Sequence, residues 1–260
     1  DPSRVDAILL SQAGLGYSGR MPQFVRHGYR GPIWATPGTR DIAAILHSGV
    51  ALAWQGEEAA PYSLDDVIAA QSLVVGQPYN RAVHLRRNLV FEFMDAGQTL
   101  GAASIELRTG EGGSHRIVYA GCLGRPGSPV LRDPAPIPGA IDTLIIGGPY
   151  AHAAHADYGT ARRELADMIR DTVARGGKLV IPAATFGPVH ELIHDVQQLV
   201  REGEVPALPI WIDGSTPACW STVLRLHPNA LADGAAALRS DTGAFDRSLV
   251  HYAGSAETRA

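Results

Sequence analysis

The sequence predicts an α/β protein, and three observations carry that prediction. Short apolar runs at 5–10, 31–36, 143–146, 178–182 and 207–213 read as buried strands, with helical spacing recurring between several of them. Three strand-like runs, 88–94, 102–107 and 115–120, follow one another, the last two joined by the turn-rich Arg108-Thr109-Gly110-Glu111-Gly112-Gly113. The second half then alternates strand and helix, which argues for parallel pairing there. With 260 residues, 45% of them hydrophobic, the chain can build one large core or two modest ones.

The elements can be justified in order. After the strand at 5–10 comes a glycine-rich loop, 14–19. Residues 20–28 read as a short helix stopped by His27-Gly28, because glycine readily takes the left-handed conformation that ends helices. Thr39 is expected to cap the helix running through Ile42, Ile45 and Leu46. Ser63 is expected to start a helix at 64–73, with Asp65 and Asp66 in the first turn, where the helix dipole favours negative charge. The 124–139 stretch holds five prolines and reads as an extended loop, since proline lacks an N–H and clashes inside a helix. Further on, 160–175 is amphipathic and closed by Gly176-Gly177. Pro188 suits the first position of the following helix, where its missing donor costs nothing. Val189, Leu192, Ile193, Val196, Leu199 and Val200 make that helix's apolar stripe.

Composition excludes several classes. Charged residues are 18% of the chain and the net charge is −4, so the basic footprint of a free-standing nucleic-acid binder is lacking. Arg86-Arg87 and Arg162-Arg163 read as solvated surface. Two cysteines, Cys122 and Cys219, are too few for a disulfide framework and suit a reducing cytoplasm. No run approaches the roughly 20 apolar residues of a membrane span. The opening Asp1-Pro2 reads as a trimmed start, with no secretory leader expected. There is no phosphate loop, dinucleotide fingerprint or Gly-x-Ser-x-Gly elbow.

The most informative stretch is Ser11-Gln12-Ala13-Gly14-Leu15-Gly16-Tyr17-Ser18-Gly19-Arg20, flanked by Val5 to Leu10 and Met21-Pro22. With Gly28 to Thr36, Tyr62 to Val67, Ala96-Gly97-Gln98-Thr99-Leu100-Gly101-Ala102-Ala103, Tyr119 to Arg125, Gly176 to Ala183 and Pro209 to Asp213, it resembles the metallo-β-lactamase fold carrying a β-CASP cassette. That family comprises RNA- and DNA-processing nucleases. The resemblance implies a partial αββα sandwich over 1–147, followed by the start of a β-CASP α/β cassette over 148–260. It also implies that two strands precede residue 1 and that the rest of the cassette follows residue 260.

Family members hold two zinc ions that activate water and clamp phosphate. Carried over position by position, the resemblance places Gln12, Gly14, Gly16 and Tyr17 where the first metal motif has its ligands. Gln98 stands at the next histidine, Cys122 at the bridging aspartate and Gly147 at the final acidic residue. Zinc asks for nitrogen, sulfur or carboxylate donors, at least three of them from protein. Glycine offers none, a neutral amide is a poor ligand, and one thiol cannot hold the ion alone. The sequence therefore leads us to expect no bound metal, no zinc cofactor and no catalytic residue at this site. Cys122 reads as a small hydrophobe filling a vacated pocket.

Two other histidine groups invite a metal reading. His190-Glu191-Leu192-Ile193-His194 is a literal H-E-x-x-H on a helix, the signature of zinc proteases. A third ligand is missing, and both histidines fall off the apolar stripe, which predicts solvated side chains. His155, with His152 nearby, falls where the family often has a loop histidine. His155, His190, His194 and Asp213 are thus candidate cleft residues. The function these readings lead us to expect is a catalytically degenerate β-CASP homologue, leaning away from an enzyme, that serves as a non-hydrolytic subunit or scaffold in RNA processing. Alternatives are replaced, non-zinc chemistry in the old cleft, using Cys122, Tyr17 or Asp95, or a non-cleaving nucleic-acid binder. A cytoplasmic protein is expected, with an active β-CASP relative or a second copy of itself as partner, nucleic acid as a weaker one, and no membrane.

Overall fold

A computed structural model describes residues 1–148, 152, 154, 156–183, 186–213, 217–232, 235 and 248–253. In chain order the elements are β1 (Ile8–Leu10), α1 (Leu15–Ser18), α2 (Met21–Arg26), β2 (Ile33–Ala35), α3 (Pro37–Ala53), α4 (Leu64–Ser72), β3 (Val74–Gly76) and β4 (Val83–Arg86). They continue with β5 (Leu89–Asp95), β6 (Ala103–Thr109), β7 (His115–Ala120), β8 (Thr143–Ile146), α5 (Tyr158–Ala174), α6 (Phe186–Arg201), β9 (Ile210–Asp213), α7 (Pro217–Leu226) and β10 (Val250–Ala253). Two compact units result: 1–126 with 132–147, and 127–131 with 148–260.

The first unit is layered. β1, β2 and β3 form a parallel sheet in that order, and β4 to β8 form a second sheet, antiparallel until β8 joins β7 in parallel. Phe91, Phe93, Ala103 and Ile105 of the larger sheet pack with Leu9 and Trp34 of the smaller one, so the two sheets share a core. On the far face of the small sheet, Leu10, Ile33 and Ala35 are buried with Met21, Val25 and Ala70 from α2 and α4. Helices, sheet and sheet therefore stack as in a metallo-β-lactamase-like sandwich. This mixed α/β architecture is the one the sequence predicts.

Local chemistry explains the element ends. Gly28, just past α2, has φ +103°, the left-handed stop that the sequence predicts. At Ser63 a full capping box forms, its hydroxyl accepting from Asp66 N–H and the Asp66 carboxylate accepting from Ser63 N–H. The cap of α3 is Thr36 rather than Thr39: Pro37 starts the helix, and Thr36 Oγ1 accepts from Thr39 N–H at 3.2 Å. The short strands β3 and β4 have no counterpart in the sequence reading, being too brief to show a period.

In the second unit α5 and α6 pack through Leu165, Ala166 and Ile169 against Val196 and Leu199. β9 and β10 pair in parallel, with Trp211 opposite His251. The strand expected at 178–182 does not form. Those residues have no ladder partner among the described residues, and Val180 is 83% exposed. An apolar run becomes a strand only when a neighbour satisfies its backbone groups, and β9 pairs with β10 instead.

Candidate functional site

The glycine-rich segment leaves β1 and turns directly into α1, bringing its side chains to the end of the small sheet. Ala103 N–H donates to the Ser11 carbonyl at 2.7 Å, tying the start of the loop to the start of β6. Gln12 is buried, and a Cβ at Gly14 would lie 3.3 Å from its Oε1, so the carboxamide faces back into the loop. Tyr17, 42% exposed, places its hydroxyl 3.0 Å from Cys122 Sγ at the end of β7. That hydrogen bond, followed by burial, pushes the phenol up to about 12, so Tyr17 is neutral at ordinary pH.

Behind the loop, Ser18 Oγ donates to the Ala13 carbonyl at 2.6 Å and accepts from His47 Nε2 at 2.9 Å. With its proton committed to Nε2, His47 leaves Nδ1 buried with no hydrogen-bond partner among the described residues. Burial lowers His47 to about 4. His47 thus holds the loop from beneath as a neutral ring, edge-on to Tyr62 at a centroid distance of 6.2 Å. The sequence reading misses it, because a histidine inside α3 carries no motif.

The turn bearing Gln98 is fixed just as firmly. Thr36 and Thr39 both donate their hydroxyls to the Gly101 carbonyl, at 2.6 and 2.8 Å, and Asp95 Oδ1 accepts from Gly97 N–H at 3.0 Å. Gly124 sits so close to this turn that a Cβ there would lie 1.8 Å from the Gly97 carbonyl oxygen and 2.9 Å from Gln98 N. Gln98 Oε1 is buried with no hydrogen-bond partner among the described residues. Gly147 closes the ring: a Cβ there would meet the Gly121 carbonyl at 2.9 Å and Cys122 N at 3.8 Å. Gly16 is the outlier, with no described atom within 4 Å of a Cβ.

Gln12, Gly14, Tyr17, Cys122 and Gly147 therefore converge, and Gln98 reaches them through the Gly97–Gly124 contact. As donors they comprise amides, a neutral phenol, one thiol and glycines. Among the described residues no group of three or more His, Cys, Asp or Glu is placed to hold a metal ion. These positions do not fit a two-zinc centre. Asp95 does not supply a replacement, since Gly97 N–H and Arg132 Nη2 (3.1 Å) engage its carboxylate.

The second unit departs from expectation at H-E-x-x-H. His190 and His194 are 3% and 7% exposed, not solvated. α6 packs on α5 along its apolar stripe, while the 127–131 segment covers it elsewhere: Ser128 Oγ donates to Glu191 Oε1 at 2.5 Å. Asp195, next in the helix, accepts from the Tyr158 hydroxyl, and His194 Nε2 lies 3.4 Å from Gln198 Nε2. Glu191 is thus spent on packing, and the zinc-protease arrangement is not assembled. Asp213 ends β9, and His155 lies outside the described residues.

No family model matches the chain. Among curated proteins it is 30% identical over 230 residues to ribonuclease TTHA0252 of Thermus thermophilus, covering 88% of this chain and 50% of that protein. It is 29% identical over 215 residues to transcription termination factor FttA of Methanothermobacter thermautotrophicus, covering 81% of this chain and 33% of the relative. The chain thus spans a third to a half of the length of these relatives. Among solved structures, a protein of unknown function from Enterococcus faecalis V583 covers 95% of this chain and 55% of its own, with a TM-score of 0.48 and 12% identity.

Two expectations are corrected by these relatives. The catalytically degenerate, non-hydrolytic scaffold does not stand, nor do its alternatives: proteins matched over four fifths of the chain are named for ribonuclease activity and transcription termination, and nothing in the structure shows inactivity. The expectation of a protein without zinc falls for the same reason, because relatives of this kind ordinarily use the metal. What these positions show concerns their own donors alone. Over more than four fifths of its length the chain is a homologue of the β-CASP ribonucleases of the metallo-β-lactamase fold.

Proposed function

We propose that this chain is part of a ribonuclease-type protein that acts on RNA, in cleaving transcripts or terminating their synthesis. The observation that carries the reading is the 29–30% identity, sustained over 81–88% of the chain, to proteins bearing those names. The pocket supports it in a limited way. The exposed, neutral Tyr17 hydroxyl is a hydrogen-bonding group suited to ribose or phosphate. No helix among the described residues is long and apolar enough to cross a membrane. We place the protein in the cytoplasm, working with a β-CASP relative or a second copy of itself.

The test is end-labelled single-stranded RNA incubated with the full-length protein, with and without a chelator. Shortened RNA is the expected product. Intact RNA under every condition would overturn the ribonuclease reading, and the chelator arm separates metal-dependent from metal-independent cleavage. Light scattering of the same sample reports self-association.

A further inference from the structure

The apolar run at 178–182 lacks a ladder, yet its side chains already alternate as those of a strand do. Leu179 and Ile181 are 39% and 44% exposed, while Val180 between them is 83% exposed. One apolar groove of about 830 Å³ is lined both by Lys178 to Ile181 and by Leu208 to Asp213, together with Ile169, Leu192 and Val196 of α5 and α6. In chain order this is an extended run, helix α6 and strand β9, the connection that joins parallel neighbours in a sheet. β9, α7 and β10 make the same connection, and there the two strands do pair in parallel.

β9 has an edge to offer such a strand. Ile210 N–H donates to the Leu249 carbonyl, on the β10 side. Successive residues of a parallel strand turn their backbone groups to opposite edges, so those of Trp211 point away from β10. No strand pairs with that edge among the described residues. The Trp211 ring stacks on His251 with centroids 4.7 Å apart, while Ile210 packs into the α5–α6 core. Paired residues of parallel strands share a face. A ladder that turns Leu179 and Ile181 towards the helices therefore sets them beside Ile210 and Ile212, and Val180 beside Trp211. In that register Trp211 N–H donates to the Leu179 carbonyl, and Ile181 N–H donates to the Trp211 carbonyl. The nitrogen of Pro182 faces outward, where no donor is needed.

We propose that residues 178–182 are a strap that closes on the free edge of β9 as a third parallel strand and fills the groove, the structure holding it open. Closure satisfies the edge groups of Trp211 and buries Leu179 and Ile181 against α5 and α6. Opening uncovers the groove and the apolar run together, so the two states show different surfaces to an apolar ligand. The inference concerns the second unit alone and stands independently of the ribonuclease reading.

The experiment follows amide hydrogen exchange in the full-length protein by mass spectrometry, circular dichroism confirming that each variant is folded. The Trp211 amide should exchange more slowly than in an unstructured peptide of the same sequence. Ile181→Pro deletes the donor to the Trp211 carbonyl and should speed exchange at Trp211 by about tenfold. Val180→Pro removes an N–H that points outward in this register and should change it by less than about twofold. The fluorescence of anilinonaphthalene sulfonate, an apolar-surface dye, should rise with Ile181→Pro and stay level with Val180→Pro. Exchange at Trp211 as fast as in the free peptide would overturn the strap. Equal acceleration by the two prolines overturns it as well, because the ladder is then not the one described. Equal dye fluorescence in all three proteins would mean that the groove never closes.

Discussion

The pocket around the glycine-rich loop and the H-E-x-x-H helix are opposites. In the first, the ligand types are gone from the sequence, yet Gln12, Tyr17 and Cys122 are still brought together across more than a hundred residues. In the second, the H-E-x-x-H spacing is intact in the sequence, yet Glu191 is held by Ser128 and both histidines are buried among packing partners. Spacing along a helix puts side chains on one face. It does not decide whether that face meets a ligand or the rest of the protein.

The comparison can be broken most forcefully at Gly124. A methyl group there would lie 1.8 Å from a backbone oxygen of the Gln98 turn, a clash that no side-chain rotation relieves. Gly124→Ala should cost on the order of 3–5 kcal/mol in urea unfolding. Gly16→Ala, in open space on the same loop system, should change stability by less than about 0.5 kcal/mol. Equal effects from the two would mean that the pocket is not built as described.

The pH dependence of stability tests the support beneath the loop. His47 is lowered from its ordinary 6.5 to about 4 by burial, so the unfolded chain binds its proton more readily than the folded one between those values. Stability from this residue is complete above pH 6.5 and declines as the pH falls towards 4, by about 3 kcal/mol in all. Replacing His47 with Gln should remove most of that slope. A slope unchanged in the variant would assign the acid sensitivity elsewhere.

On the other side of the comparison, Glu191→Ala should destabilise by about 1–2 kcal/mol, because it leaves the Ser128 hydroxyl without its acceptor. Zinc content measured by mass spectrometry should be the same with His194→Ala as without it. Lower zinc in that variant would mean that the helix holds metal after all. Tyr17→Phe removes the contact with Cys122 and should cost under about 1 kcal/mol. Its signature is faster alkylation of Cys122, read by thiol titration.

What the sequence by itself determined is local. The capping box at Ser63, the glycine stop at Gly28 and the β6–β7 hairpin each depend on residues a few positions apart, and each is present. The identity of the donors at Gln12, Gly14, Gly16, Tyr17, Gln98, Cys122 and Gly147 is likewise written in the chain. Tertiary structure alone decided that Tyr17 meets Cys122, that His47 carries the loop, that His190 and His194 are buried, and that 178–182 is left without a ladder while Trp211 stacks on His251. Burial and strand pairing depend on which distant segment arrives alongside, and neither periodicity nor spacing within a segment encodes its neighbour.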